Sequence, residues 1–355
     1  MNADLIKEMN EIIISDMVGN ATAESFAAVD IAGYNYMDAR YLVDKEKYPN
    51  RIICGSETFP GNIDNNWGLV KRHSHIIGDF TWTGWDYLGE AGVGKVLYDI
   101  PNLGKYDSPF PWLTAWCGDI DLIGNRRPIS YYREIVFGLR SKPYIAVHRP
   151  EFYGKEQLKT NWSWSDSVSS WTWTGYEGKP IKVEVYSDAD EVELLVNGQS
   201  VGKAETGETN RFMAVFDTIY EAGEIVAIAY TDNKEIGRTV LHSASGAVLL
   251  DVDVDRTEIV ANDKDLSFIT ITLVDQEGNL YNTADRKVSV RVEGAGMLQG
   301  FGSADPKSDE EFFATERTTF DGKVLAVIRP TSVGTIAVTV SAEGCASKSV
   351  KIEAR

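Results

Sequence analysis

The spacing of apolar residues changes near Pro143, and this change limits the folds that the chain can adopt. Before that point amphipathic helices alternate with short apolar runs; Ile129, Tyr132 and Ile135, for example, recur at the spacing of one helix face. After it, apolar residues alternate singly with polar ones, which is typical of β-strands that bury one face. The sequence therefore predicts a multidomain protein with an α/β part followed by an all-β part.

The first part contains three strand patterns separated by helical ones. Strands are predicted at 28–36, 51–55 and 79–85, and helices at 67–77 and from Pro128 onward. Helices between successive strands are typical of parallel β–α units. A closed eight-stranded barrel takes roughly 250 residues, whereas this part has only about 140. It is therefore either a small independent α/β domain or the end of a barrel.

The second part has the pattern of two β-sandwich modules. Each module consists of about 100 residues of short alternating strands, which is sandwich size. Asn197-Gly198 predicts a type I′ hairpin turn, and the small residues at 243–246 predict a linker. The expected domains are 1–142, 143–246 and 247–355.

Charge and cysteine content exclude several classes of function. The chain has 53 acidic and 35 basic residues and a net charge of −18, which would repel nucleic acid or an anionic bilayer and favours a neutral ligand. No apolar run approaches the roughly 20 residues that span a membrane. Cys54, Cys117 and Cys345 are too far apart for a disulfide framework or a zinc cluster. We therefore expect no metal, cofactor, nucleic-acid or membrane partner.

Acidic and aromatic residues follow all three predicted strands. The carboxyl ends of parallel strands carry the active sites of α/β folds. The position of Glu57 alone would also fit a helix cap or a loop acid. Three such strands, however, would bring a carboxylate, indoles and phenols together at the same end of the sheet. These are the groups that a sugar site needs, since apolar rings suit the C–H faces of sugars. The residues concerned are Tyr34, Tyr36, Glu57, Trp82, Trp85 and Asp86.

Four motifs in this region resemble the family 2 glycoside hydrolases, which include β-galactosidases, β-glucuronidases and β-mannosidases. They are GYNY (33–36), YPNR (48–51), GSET (55–58) and DFTWTGWDYLGE (79–90), and they resemble the last three strands of the catalytic barrel. The resemblance implies the C-terminal portion of a TIM (β/α)8 barrel followed by two immunoglobulin-like β-sandwiches, the second of them also invasin-like. It is greatest to bacterial β-galactosidases with extra C-terminal domains.

The resemblance implies a retaining hydrolase that acts on terminal β-linked sugars, with β-galactosides as the best-fitting substrates. Glu57 matches the nucleophile that ends strand seven, and Tyr36 matches the tyrosine that hydrogen-bonds it. Trp82 matches the tryptophan that lines the sugar pocket after strand eight. Such an enzyme also needs a second carboxyl about 5–5.5 Å from the nucleophile. Further substrate contacts are expected from Tyr34, Trp85 and Asp86.

The acid/base residue of the family is missing from this chain. In the family it is a Glu that follows Asn at the end of strand four. Asn10-Glu11 has the right residue types but lies in a helical pattern. The gap between it and Glu57 is too short for strands five and six, because each β–α unit takes about 30 residues. The chain is therefore expected to be a fragment that is inactive by itself.

Several other residues have two interpretations. The pairs Trp162/Trp164 and Trp171/Trp173 have strand spacing, which fits core or inter-domain packing and, as the alternative, a sugar-binding platform. His73 and His75 are expected at the surface of the helix at 67–77.

The chain as a whole also has an alternative interpretation, a non-catalytic carbohydrate-binding or adhesin-like module. A carbohydrate is the expected ligand, and the oligomeric state is not predicted. Met1 opens into a polar helical pattern rather than a signal peptide. A secreted or periplasmic bacterial location is nevertheless favoured over the cytoplasm, since a native signal peptide is expected upstream of this residue.

Overall fold

The computed structural model describes residues 11–99 and 108–355, and β-sheets dominate this part of the chain. Each of its helices is too short or too polar to cross a bilayer. The α-helices are α1 (Asp16–Ala27), α2 (Tyr41–Lys47), α3 (Ile63–Arg72) and α4 (Pro128–Val136). Single 3-10 turns occupy Asp38–Arg40, Pro60–Asn62, Pro150–Phe152 and Glu208–Asn210.

A three-stranded parallel sheet organises the first part. Its strands are β1 (Ile31–Asn35), β2 (Ile52–Thr58) and β3 (Ile76–Thr81), in the order β1-β2-β3. Alternate side chains such as Ala32 and Ile53 are buried in a cluster that includes residues of α1 and α3. On the other face of β1, Ile31 is 50% exposed. The predicted parallel pairing is confirmed, and helices cover one face of this sheet.

Some limits in the first part differ from those predicted. Helix α3 ends at Arg72, so His73 and His75 follow the helix rather than lie on it. The prediction of a surface position is wrong for His75, because this side chain is only 5% exposed and its Nε2 lies 3.1 Å from the carbonyl oxygen of Tyr41. Helix α2 was not predicted at all. Its seven residues are too few to show a clear helical period.

Three strands lie where the first part meets the first sandwich. Strand β4 (Val96–Tyr98) is followed by β5 (Tyr144–His148) and β6 (Gln157–Lys159), and β4 pairs with β6. Strand β5 is buried on both faces. Tyr144 and Ala146 pack in one cluster with α4, whereas Ile145 and Val147 pack into the next core. One strand therefore serves two cores.

The first sandwich has two four-stranded sheets, β11-β8-β5-β7 and β10-β9-β12-β13. Trp171 and Trp173 are buried in the core between them, so packing is the correct interpretation of this pair. Asn197 and Gly198 have φ values of 47° and 76°, which confirms the predicted hairpin turn between β9 and β10. The new strands are β7 (Ser167–Val168), β8 (Pro180–Tyr186), β9 (Glu191–Val196), β10 (Gln199–Glu205), β11 (Met213–Ile219), β12 (Glu224–Thr231) and β13 (Lys234–His242).

The second sandwich has a four-stranded sheet, β14-β16-β20-β18, and a five-stranded sheet, β15-β22-β21-β17-β19. Side chains of both sheets, among them Ile271, Val324 and Val338, share one buried core. The strands are β14 (Leu249–Val254), β15 (Glu258–Ile259), β16 (Ser267–Val274), β17 (Lys287–Gly294), β18 (Gly296–Gly302), β19 (Glu316–Thr318), β20 (Lys323–Pro330), β21 (Gly334–Ala342) and β22 (Lys348–Ala354).

Partly buried polar contacts join the second sandwich to the rest of the chain. The guanidinium of Arg149 donates two hydrogen bonds to Asp321, at 2.8 and 2.7 Å, and a third to Asp166 at 2.8 Å. In addition, the backbone N–H of Leu113 donates to the carbonyl of Pro306 at 2.8 Å. The second sandwich therefore contacts both the first sandwich and the first part of the chain.

Candidate active site

Glu57 lies near the carboxyl end of β2, where the pairing with β1 is irregular. Tyr34 pairs with Gly55 and Asn35 with Glu57, so Ser56 is an extra residue in β2. The half-buried Glu57 accepts a hydrogen bond on Oε2 from the Asn35 side-chain amide at 3.2 Å. Ser56 Oγ donates to Asn35 Oδ1 at 2.8 Å. This second bond orients the Asn35 amide, because its oxygen must face Ser56 and its NH2 group therefore faces Glu57.

Tyr36 is the first residue after β1 and bends back toward Glu57. Its φ of 54° is rare for a residue other than glycine, and its backbone N–H donates to the Glu57 carbonyl at 2.8 Å. Burial, followed by the hydrogen bond between its hydroxyl and the Glu57 carboxylate, raises the pKa of Tyr36 far above its usual value. The phenol is therefore neutral and can donate its proton to Glu57.

Two rings hold the Tyr36 side chain in place. Phe59 stacks on it with 4.2 Å between ring centroids, and Trp162 meets it edge-on at 5.6 Å. The indole Nε1–H of Trp162 also donates to the Tyr36 hydroxyl oxygen at 2.9 Å. Tyr36 is thus fixed by stacking and by hydrogen bonding at the same time.

Trp82 directly follows β3 and borders the same region. Its backbone N–H donates to the Thr58 carbonyl at 2.9 Å, and its indole donates to the Tyr87 hydroxyl at 3.1 Å. Trp82, Tyr87 and Trp162 all pack against one buried apolar cluster that contains Cys117. Glu57, Tyr36, Trp162 and Trp82 therefore form one continuous group, which we call the candidate site.

Two predicted substrate contacts are not part of the candidate site. Tyr34 is fully buried and its hydroxyl donates to Asp44 at 2.5 Å. It lies two residues after the buried Ala32 and shares the helix-covered face of β1. A side chain that is fully buried under helices cannot touch a substrate, so the prediction for Tyr34 is wrong.

Asp86 is also buried rather than open to a ligand. It is 2% exposed, accepts a hydrogen bond from the backbone N–H of Gly118 at 2.7 Å and lies 3.4 Å from a guanidinium nitrogen of Arg127. Burial raises the pKa of Asp86 to about 6, although Arg127 and Gly118 act in the opposite direction. Asp86 therefore holds the segment that follows β3 against Gly118 and Arg127, and the prediction that it contacts the substrate is wrong.

The substrate contact expected of Trp85 stays a prediction. Its side chain is 52% exposed and it pairs with Ile120 through an isolated bridge. Glu11 is exposed in a short helical stretch, as expected for a residue with no catalytic role, and Asn10 lies outside the described residues. Within 11–99 and 108–355, we find no group of three or more His, Cys, Asp or Glu side chains arranged to hold a metal ion.

Sequence reasoning missed Asn35 and Trp162. Asn35 could have been found, because it lies within the GYNY motif and occupies the exposed face of β1 next to the predicted nucleophile. Trp162 gave no such signal, since 126 residues separate it from Tyr36. The pair Trp162/Trp164 is in fact split: Trp164 donates to the Tyr186 hydroxyl at 3.0 Å, in a different cluster.

Two parts of the chain match known families of domains. Residues 250–351 match the glycoside hydrolase family 2 C-terminal domain 5. Residues 178–237 match a domain of unknown function, DUF4982. The matched residues lie in the second and the first sandwich, respectively.

Sequence and structure relatives cover nearly the whole chain. The chain is similar to the β-galactosidase BoGH2A of Bacteroides ovatus, with 28% identity over 93% of this chain and 36% of the relative. It is similar to a crystal structure of a family 2 glycosyl hydrolase member from Bacteroides cellulosilyticus, with 38% identity, a TM-score of 0.85, and coverage of 94% of this chain and 43% of that one. A putative β-glucuronidase of Formosa agariphila is 26% identical over 64% of this chain and 19% of the relative. The chain thus spans less than half the length of each of these relatives.

Proposed function

We propose that this chain, which is homologous to family 2 glycoside hydrolases, supplies the nucleophile of a retaining glycosidase that acts on terminal β-linked sugars. The observation that carries the proposal is the environment of Glu57. This carboxylate lies near the carboxyl end of a parallel strand and accepts a hydrogen bond from the Asn35 amide at 3.2 Å. The Tyr36 backbone N–H donates to the carbonyl of Glu57 at 2.8 Å, and the neutral Tyr36 phenol interacts with the Glu57 carboxylate. Both neighbours can donate to the carboxylate, so they hold it in a fixed orientation for attack.

The proposed reaction uses Glu57 to attack the anomeric carbon and form a covalent glycosyl–enzyme intermediate. A second carboxyl group, supplied by residues outside this chain, would protonate the leaving oxygen and later activate water. Trp82 would present its indole beside the sugar ring and exclude water from the reacting centre. Trp85, half exposed nearby in sequence, is proposed as a further sugar contact.

The proposal includes the architecture of the complete enzyme. The sheet β1-β2-β3 would form the last three strands of a TIM barrel, since its strands are parallel and, among the residues that the structure describes, helices cover one of its faces. The proposed domains are 1–142 for the barrel end, 143–246 for the first sandwich and 247–355 for the second. Both sandwiches are proposed to be immunoglobulin-like, the second also invasin-like.

We propose β-galactosides as substrates because BoGH2A is a β-galactosidase and is similar over most of this chain. The relative from Formosa agariphila is a putative β-glucuronidase, which makes β-glucuronides the second candidate. The similarity to glycosidases and the match of residues 250–351 to a family 2 C-terminal domain do not favour the alternative of a non-catalytic adhesin-like module. Hydrolysis rates on matched aryl β-galactosides, β-glucuronides and β-mannosides would separate the sugars.

The nucleophile can be tested by covalent trapping in the complete enzyme that contains this chain. An activated 2-deoxy-2-fluoro-β-galactoside should label Glu57, as located by peptide mass spectrometry, and Glu57→Gln should abolish labelling. Glu46→Gln is a suitable control because Glu46 is exposed on α2. Labelling of a different carboxylate would refute the assignment of Glu57.

A further inference from the structure

We propose that Trp162 is a positioning residue for the candidate nucleophile, because it directs the hydroxyl proton of Tyr36 toward Glu57. The inference rests on the proposed role of Glu57 and assigns part of the site to a segment that follows the α/β part. Trp162 would act through Tyr36 and would not touch the substrate itself.

The direction of the proton follows from the chemistry of the two groups. An indole N–H can only donate, so at 2.9 Å from Trp162 the Tyr36 oxygen must accept. The single proton of the phenol is then available to the carboxylate of Glu57, a residue that also accepts the Tyr36 backbone N–H at 2.8 Å. A phenol that accepts one hydrogen bond donates a stronger one, since the two bonds polarise each other.

The effects on Tyr36 agree with this direction. Burial raises the pKa of Tyr36 most, and the hydrogen bond to Glu57 raises it further, whereas the hydrogen bond from Trp162 lowers it. A group that lowers the pKa of a phenol favours its anion, as a donor to the oxygen does. Trp162 and Glu57 therefore act on opposite ends of the same O–H group.

A second chain of hydrogen bonds reaches Glu57 in the same sense. Ser56 donates to the Asn35 oxygen, and the Asn35 amide donates to Glu57. In each series the first residue, Trp162 or Ser56, donates to the oxygen of the second, Tyr36 or Asn35. The O–H or N–H group of the second residue is then available to the Glu57 carboxylate. Asn35 and Tyr36, the two residues beside Glu57, are thus each oriented by a donor on their other side.

Trp162 is well anchored for this task. Strand β6, just before it, pairs with β4, and Ser163 Oγ, just after it, donates to the Lys95 carbonyl at 2.7 Å. The ring of Phe59 also packs edge-on against Trp162, with 5.1 Å between the ring centroids. The segment that carries the indole is therefore tied to the same loops that surround the candidate site.

The test compares Trp162→Phe with Trp164→Phe in the 355-residue chain. Trp164 donates to Tyr186 as Trp162 donates to Tyr36, so the control removes an equivalent bond in a different cluster of side chains. With tyrosine labelled with carbon-13 at Cζ, the Tyr36 resonance is assigned from Tyr36→Phe. The measured quantity is the change in that resonance caused by Glu57→Gln. We expect Trp162→Phe to reduce this change and Trp164→Phe to leave it unaltered.

An unaltered effect of Glu57→Gln in the Trp162→Phe background would overturn the proposal. If that variant does not fold, the indole protons report instead: Tyr36→Phe should shift the Trp162 N–H resonance and leave that of Trp164 in place, and the absence of a Trp162 shift would count against the bond. Neither experiment uses a sugar. Covalent labelling elsewhere than Glu57 would therefore refute the proposed function without changing these spectra.

Discussion

Asp86 should make the stability of this chain depend on pH in the opposite sense to most carboxylates. Its pKa is about 6 in the folded protein against 3.8 for an ordinary aspartate, chiefly because of burial. The folded state therefore binds the proton more tightly than the unfolded state. The stabilisation is complete below pH 3.8 and is lost as the pH rises through 6.

The expected size follows from the same two values. A pKa of about 6 against 3.8 corresponds to about 3 kcal/mol of unfolding free energy in total. Between about pH 4.5 and about pH 7.5, about 2 kcal/mol of this is lost. Asp86→Asn has nearly the same shape and cannot ionise. The free energy of unfolding of Asp86→Asn, taken relative to that of the wild type, should therefore be about 2 kcal/mol higher at about pH 7.5 than at about pH 4.5.

Amide hydrogen exchange measures this difference where it arises. The Gly118 N–H donates to Asp86 Oδ1, so its protection, corrected for the intrinsic exchange rate, reports opening of this loop. Costs of the substitution that do not depend on pH cancel between the two conditions. Arg127→Met supplies a second check, because losing this positive charge should move the transition of the wild-type Asp86 to higher pH. Equal pH dependence in wild type and Asp86→Asn would refute the reasoning.

Three further outcomes are expected. Arg149→Met should destabilise the contact between the sandwiches by about 1–3 kcal/mol, because two carboxylates lose their shared, partly buried partner. Guanidinium denaturation followed by circular dichroism would show it, and a change below about 0.5 kcal/mol would contradict it. Gly118→Ala should lower the midpoint of thermal unfolding, since a Cβ there would clash with the backbone nitrogen of Asp86. Gly61→Ala should not, because a Cβ at that position meets no atom within 4 Å. The chain alone should not hydrolyse an aryl β-galactoside; turnover that Glu57→Gln abolishes would show that this expectation is wrong.

The parts of the fold that local patterns encode could be predicted from the sequence. Single alternation of apolar residues predicted most strands of the two sandwiches, because one buried face imposes a period of two. Asn197-Gly198 predicted its turn because few residues accept positive φ. In both cases a few adjacent residues carry the whole physical constraint, so no knowledge of distant contacts was needed.

The candidate site was only partly predictable, because it depends on which face a side chain occupies and on distant contacts. The extra residue Ser56 in β2 changes the alternation at the point where the face of Glu57 is decided. Tyr34 shares the buried face of Ala32, whereas Tyr36 follows the strand with a positive φ, and the GYNY motif alone does not distinguish these two positions. The bond from Trp162 to Tyr36 depends on packing between segments far apart in sequence, which no local pattern contains.

Within residues 11–99 and 108–355, one face of β1 is left exposed, and this face indicates where the rest of the candidate site comes from. Ile31 and Asn35 lie on this face, and Asn35 is the residue that contacts Glu57. Leaving a large aliphatic side chain such as Ile31 half exposed forgoes about 1 kcal/mol, since full burial contributes about 1.5–3 kcal/mol. A segment that covered this face would gain that energy and would bring its own side chains alongside Glu57. We therefore expect the acid/base carboxylate to come from the elements that pack on the uncovered face, since the helix-covered face is already filled by side chains such as Tyr34.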